Sequence, residues 1–141
     1  MKEALLAGDL KSMLDRLKSL FASIPYQLHL PREAYYHSIF YALMSILGFD
    51  VDVEVSTSGG RVDAVLELEG RIYILEFKYA DCASDADSVT KNALFERALD
   101  EAMSQIQKRG YASKYVGSGK EIVQAAFAFL GRDDIEMRVH G

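Results

Sequence analysis

The sequence predicts an α/β domain: a mixed sheet of four to five strands, flanked by helices. Three observations lead there. Residues 61–80, GRVDAVLELEGRIYILEFKY, alternate apolar and polar residues, pause at Glu69-Gly70 and resume with Ile, Tyr, Ile, Leu and Phe. That is the pattern of two antiparallel strands joined by a tight turn. Residues 50–56, DVDVEVS, alternate strictly ahead of a turn at Ser58-Gly59-Gly60, which adds a third strand and makes a meander. Helical patterns lie on both sides of the meander, and a second apolar run follows at 121–130.

Taken in order, the chain opens with helices. Leu5 and Leu6 belong to a short helical turn that Gly8 can close, and Asp9 can cap a new helix. There Leu10, Met13, Leu14, Leu17, Leu20 and Phe21 recur at helical spacing, with Lys11, Asp15, Lys18 and Ser19 between them. Ile24-Pro25-Tyr26 breaks the pattern. Residues 1–30 therefore read as a helical extension or connector, whose apolar stripe packs on its own core or covers a partner. The remainder, 31–141, reads as one domain. A helix starts near Pro31, buries Tyr36, Ile39, Phe40, Leu43 and Leu47, and ends at Gly48. After the meander, residues 80–90 are small, polar and acidic, a loop. From Lys91 to Arg109 the pattern is helical, with Leu94, Ala98, Ala102 and Ile106 in one stripe and Gly110 as the stop. Residues 121–130 form a strand and 135–139 a last short one.

Composition narrows the function classes. Half of the 141 residues are hydrophobic, enough for a real core in one domain of ordinary size. No segment approaches the roughly 18 apolar residues of a membrane span. The first residues lack the apolar region and cleavage site of a secretory signal. Cys82 is the only cysteine, so neither an intrachain disulfide nor a cysteine zinc cluster can form. A cytoplasmic location is the simplest expectation. The formal net charge of −5 argues against tight, non-specific nucleic-acid binding. It leaves room for an enzyme that meets nucleic acid transiently.

The hairpin holds the informative side chains. With Glu69 and Gly70 as the two turn residues, Leu68 faces Arg71, and counting back sets Asp63 opposite Glu76. Facing residues of such a pair lie roughly 5 Å apart at Cβ. Lys78, two residues beyond Glu76, points to the same face. Two carboxylates and an ammonium converge, as they would to hold a hard divalent cation beside a water. The rival reading is a charge cluster on a solvated face. Val65, Ile72 and Ile74 share the charged face, while Val62, Ala64, Leu66, Tyr73, Leu75 and Phe77 line the other. Both faces are thus expected to be covered, where unpaired charge is costly. The local pattern alone does not choose between the two.

The segments IPY (24–26), EAYYHSIFYAL (33–43), GGRVDAVLE (59–67), YILEFKY (73–79), ALDEAMSQIQKRGYASKY (98–115) and QAAFAFLG (124–131) occur in an order and spacing that resembles the PD-(D/E)XK nuclease superfamily. More narrowly, they are similar to the nuclease-like domain at the C-terminus of a group of AAA-ATPase-like proteins. The resemblance implies a restriction-endonuclease-like core and a metal-dependent nuclease acting on nucleic acid, with DNA the expected substrate. It implies that Asp63 and Glu76 bind Mg²⁺ or Mn²⁺, with the backbone carbonyl of Phe77 as a third ligand. Lys78 would orient or activate the attacking water. Glu33 would be an auxiliary acid able to hold a second metal or a bridging water, and Gln105 a polar group near the site. Val62 stands where the name-giving proline would be, a position often changed in the superfamily. An ATPase-like domain, on the same or another chain, is the implied partner, and a catalytically silent binding or regulatory module is the alternative function.

Other polar residues have plainer readings. His37 is a helix-edge histidine beside Glu33, and His29 and His140 lie at segment ends. Glu67 shares the charged face but lies two pairs nearer the turn, towards solvent. Asp81, Asp85 and Asp87 lack the glycine and distal glutamate of a calcium loop. Lys108, Arg109, Lys114 and Lys120 form either a basic rim for phosphate or a solvated helix end. Tyr35, Tyr36 and Tyr41 are expected to pack rather than to stack on bases.

Overall fold

A computed structural model describes residues 2–23, 33–46, 51–57, 60–68, 70–80, 82, 85–108, 115–130 and 134–140, with side chains for all of these except Lys2, 33–37, 40, 46, 51–57 and 60–63. Five strands form one sheet in the order β1 (Val51–Thr57), β2 (Gly60–Glu67), β3 (Arg71–Ala80), β4 (Glu121–Leu130), β5 (Asp134–His140). Neighbouring strands are antiparallel, except that β3 and β4 run parallel. A parallel pair needs a crossover, and helix α4 (Ser88–Lys108) supplies it. The mixed five-stranded sheet flanked by helices is the architecture expected from the sequence.

The first thirty residues begin as the sequence implies. Helix α1 (Lys2–Ala7) closes on Gly8, at φ 78°. Asp9 then caps α2 (Leu10–Ser23): the Ser12 amide donates to Asp9 Oδ1 at 3.1 Å and the Ser12 hydroxyl to Oδ2 at 2.7 Å. These bonds, the hydroxyl's first, hold the Asp9 carboxyl below the usual aspartate value. Leu10, Met13, Leu14, Leu17 and Phe21 are buried, in one cluster with Leu66, Tyr73, Leu75, Phe77, Phe127 and Phe129 of the sheet. The segment read as an extension thus shares its core with the sheet. Amphipathicity told which face of α2 is buried but not what covers it. Two polar links add to the attachment. The buried Tyr73 hydroxyl donates to the Leu5 carbonyl at 2.7 Å, and Arg71 donates to the Leu6 carbonyl at 2.6 Å and to Glu121 at 3.0 Å.

Gly8 is required twice over. Its φ suits glycine, and a Cβ there would lie 2.9 Å from the Arg71 guanidinium. Gly119 has a similar φ of 76° but open space around it. Gly119→Ala should therefore cost only the backbone term, about 1–2 kcal/mol. Gly8→Ala should cost measurably more, because Arg71 must also give way. Urea unfolding of the two variants checks this, and equal losses would exclude the clash.

Helix α3 (Glu33–Ile46) packs on the same face as α1 and α2, with Met44 buried and Ile39 and Leu43 partly so. The expected helix start at Pro31 and its end at Gly48 lie outside the described residues. The opposite face of the sheet is covered by α4. Phe95, Ala98, Leu99, Ala102, Met103 and Ile106 join Val65, Ile72, Ile74, Ala126, Ala128 and Leu130 in a second cluster. The small residues Ala98, Ala102, Ala126 and Ala128 let helix and sheet approach closely. Helix α4 begins three residues before the expected Lys91. Its first turn, Ser88-Val89-Thr90, is exposed and carries no apolar stripe. The cap that starts it is Asp87, whose carboxylate accepts the Thr90 amide at 2.8 Å. Ion pairs tie it to β5. Lys91 meets Asp134 at 3.3 Å, and Arg138 meets Glu96 at 2.7 Å and also Asp100.

Candidate active site

The site is built on the central strand. Four pairs are described between β2 and β3: Ala64 with Leu75, Val65 with Ile74, Leu66 with Tyr73 and Glu67 with Ile72. This is the register the two-residue turn dictates. Asp63 is the next residue of β2 beyond Ala64, and Glu76 the next of β3 beyond Leu75. The side chain of Asp63 lies outside the described residues. On β3, odd residues Tyr73, Leu75 and Phe77 enter the core under α1–α3, and even residues Ile72 and Ile74 the core under α4. By the same alternation Glu76 and Lys78 belong to the α4 side.

Glu76 is 3% exposed, the one buried charged residue among the described residues. Beside it on β4 is Ala126, and beside Lys78 is Ala128. A carboxylate in such surroundings costs several kcal/mol unless a charge or a set of donors offsets it. Lys78 is half-buried and makes no ion pair or hydrogen bond among the described residues. Phe77 lies between them in sequence. Its ring turns to the opposite core, stacked on Phe127 at 5.6 Å and Phe129 at 6.0 Å between centroids. Aromatic packing on one side of the strand therefore anchors the polar pair on the other.

Gln105 lies on α4 and is half-buried, and its amide oxygen is buried with no hydrogen-bond donor among the described residues. Gln124 on β4 has the same property. A buried acceptor left unpaired costs about 1–3 kcal/mol. Sequence reasoning passed over Gln124. The available signal was that it is the one polar residue within the otherwise apolar run Ile122–Leu130.

Glu33 opens α3, on the layer opposite α4, and its side chain lies outside the described residues. Glu67 is exposed and pairs with Lys120 at 3.2 Å, at the end of β2 away from Asp63. Lys120 is thereby committed to an ion pair, and Lys108 is exposed; Arg109 and Lys114 lie outside the described residues. Asp87 is a helix cap, and Asp85 is exposed. His140 is exposed on β5, and the side chains of His29 and His37 are outside the described residues. Tyr41 is 44% exposed on α3 rather than packed inside.

With this geometry in view, the comparisons with known proteins are decisive. A family model described as the PD-(D/E)XK nuclease superfamily matches residues 31–138. The chain belongs to the PD-(D/E)XK nuclease superfamily. It is also similar to an uncharacterized protein in the vnfD 5′ region of Azotobacter chroococcum mcd 1, at 31% identity over 125 residues. That match takes in 85% of this chain and 22% of that protein, so the chain spans about a fifth of the relative's length. Asp63, Glu76, Lys78, Glu33 and Gln105 all fall within the span matched by the superfamily model.

Nucleases of this superfamily generally use divalent metal ions, and the residues fit one. The donors are hard carboxylate oxygens, suited to Mg²⁺ or Mn²⁺. Glu76 offers a buried carboxylate, and the two amide oxygens that find no donor among the described residues are groups that the waters of a hydrated cation would satisfy. Among the described residues, which lack the Asp63 side chain, no group of three His, Cys, Asp or Glu forms a metal cluster.

Proposed function

We propose that the domain is a metal-dependent phosphodiesterase that hydrolyses DNA. The observation that carries this reading is Glu76, a buried carboxylate on the central strand one residue beyond the last described β2–β3 pair, Ala64 with Leu75, with Lys78 on the same face. Asp63, Glu76 and the Phe77 carbonyl would hold Mg²⁺ or Mn²⁺, with Glu33 as an auxiliary acid. When bound, the cation would supply charge neutralisation at the phosphate and acidify a water. The chain's own groups do the rest. Lys78 donates hydrogen bonds to the attacking water and to the phosphate oxygens, stabilising negative charge as it grows. The strand holds Glu76 rigidly, since β3 is paired on both sides and Phe77 is clamped by two rings. Helix α4 shields the face from bulk water, which strengthens these interactions.

A direct test incubates the purified chain with plasmid and single-stranded DNA in Mg²⁺ or Mn²⁺, beside Asp63→Ala. Metal-dependent cleavage lost in the variant is expected. Cleavage that survives in Asp63→Ala would remove the site from the mechanism.

A second reading is a nuclease-like module that binds or regulates, attached to an AAA-ATPase-like domain. Two facts favour it: four-fifths of the Azotobacter relative lies outside the match, and the chain carries a net charge of −5. No Mn²⁺ heat on calorimetric titration, with no cleavage of any nucleic acid, would select it.

A further inference from the structure

The two unpaired amide oxygens share one level of the structure. Gln124 pairs in register with Ile74, and Ile74 and Glu76 are successive residues on one face of β3. Gln124 is thus a diagonal neighbour of Glu76 across the parallel pair, roughly 7–8 Å away and within reach of a long side chain. Gln105 comes to the same level from above. Arg138 binds Asp100 of α4 and stands opposite Ala126 on β4, while Lys91 meets Asp134, opposite Leu130. Helix α4 therefore runs back along β4. From Asp100 to Gln105 it advances about 7.5 Å, two strand residues, from the level of Ala126 to that of Gln124. Among the described residues at this level, Ile74, Ile106 and Ile122 are apolar, and His140, which pairs with Gln124 in register on β5, is exposed. Two amide oxygens without donors among the described residues, on the face of a buried carboxylate, are suited to a donor that carries several protons and reaches both.

We propose that Gln124, together with Gln105, is an outer-sphere ligand of the site. Their Oε1 atoms accept hydrogen bonds from the waters of a hydrated divalent cation whose inner ligands include Glu76. The proposal rests on the metal-dependent reading above and adds a positioning residue to it. Mg²⁺ and Mn²⁺ keep several waters when few protein oxygens bind them. Those waters donate outward, so acceptors, rather than cations or apolar groups, are what the surroundings must offer. Groups of this kind set metal affinity by orienting the inner shell.

The test is calorimetric titration of the full chain with Mn²⁺, paired with melting of the metal-free protein. Gln124→Met keeps the length and removes the acceptor. It should weaken Mn²⁺ binding about 10–100-fold, while the metal-free melting temperature stays level or rises, because an unpaired acceptor is gone. Gln124→Glu, which keeps an acceptor, should bind Mn²⁺ within a few-fold of the parent. Unchanged affinity in Gln124→Met overturns the proposal. So does a lower metal-free melting temperature with Gln124→Glu failing to retain affinity, the mark of a purely structural amide bonded to Gln105. A parent chain that takes up no Mn²⁺ overturns the phosphodiesterase reading itself, which separates the two failures.

Discussion

Lys78→Ala should lower the rate of DNA cleavage about 10²–10³-fold, the loss that follows when one preorganised electrostatic donor is removed. Folding should be nearly untouched. Lys78 is half-buried and holds no ion pair among the described residues, so its removal strands no partner there. Mn²⁺ affinity should stay level or rise, because an ammonium on the face of Glu76 would compete with the cation for it. Lys78→Arg should fail to restore the rate, since a planar fork does not replace a compact ammonium on a short reach. Cleavage assays with the three proteins, alongside their melting curves, decide the matter. A Lys78→Ala variant that melts like the parent and cuts like the parent takes the lysine out of the chemistry.

Phe127→Ala should be strongly destabilising, at about 3–5 kcal/mol. Phe127 is fully buried, sits in register with Phe77 and stacks on it at 5.6 Å with an interplanar angle of 20°. A domain of this kind has about 5–15 kcal/mol in all, so about a fifth or more would be lost. The cavity would open directly behind the strand segment that carries Glu76 and Lys78, so cleavage should fall even where the variant remains folded. Val116→Ala is the control: it is 74% exposed and should shift stability by no more than about 0.5 kcal/mol. Urea midpoints for both variants measure the contrast. A loss below about 1 kcal/mol for Phe127→Ala would contradict the core described above.

Much of the fold was legible because its signals are local. A two-residue turn fixed the β2–β3 register, and described pairs from Ala64 with Leu75 to Glu67 with Ile72 follow it. Gly8 and Asp9 announced the break between α1 and α2 through a positive φ and a cap. What depended on distant partners was not legible. The stripe of α2 looked the same whether it faced its own sheet or another protein. The start of α4 was hidden because its capping turn bears no apolar residue on the stripe, although Asp87 was in plain view. Gln124 looked like one polar residue in a strand. Its meaning came only from register with Ile74 and from a helix crossing above it. In the site, the two-residue turn set Asp63 opposite Glu76 as an expectation, while the layer on which α3 carries Glu33 could be known only from packing.

The pairing of β3 has a consequence for how the domain assembles. Its described partners on the β2 side are at most 11 residues away in sequence, as Ala64 with Leu75, whereas those on the β4 side are all 50 away, as Arg71 with Glu121. Closing the longer loop costs about 1.3 kcal/mol more in chain entropy, and non-local pairing is slow. The strands bearing Asp63 and Glu76 can therefore meet while most of the chain is still unfolded. Their enclosure beneath α4 waits for β4. During synthesis the hairpin emerges some forty residues before β4 begins, so the strand pair forms in water first and its face is walled in last.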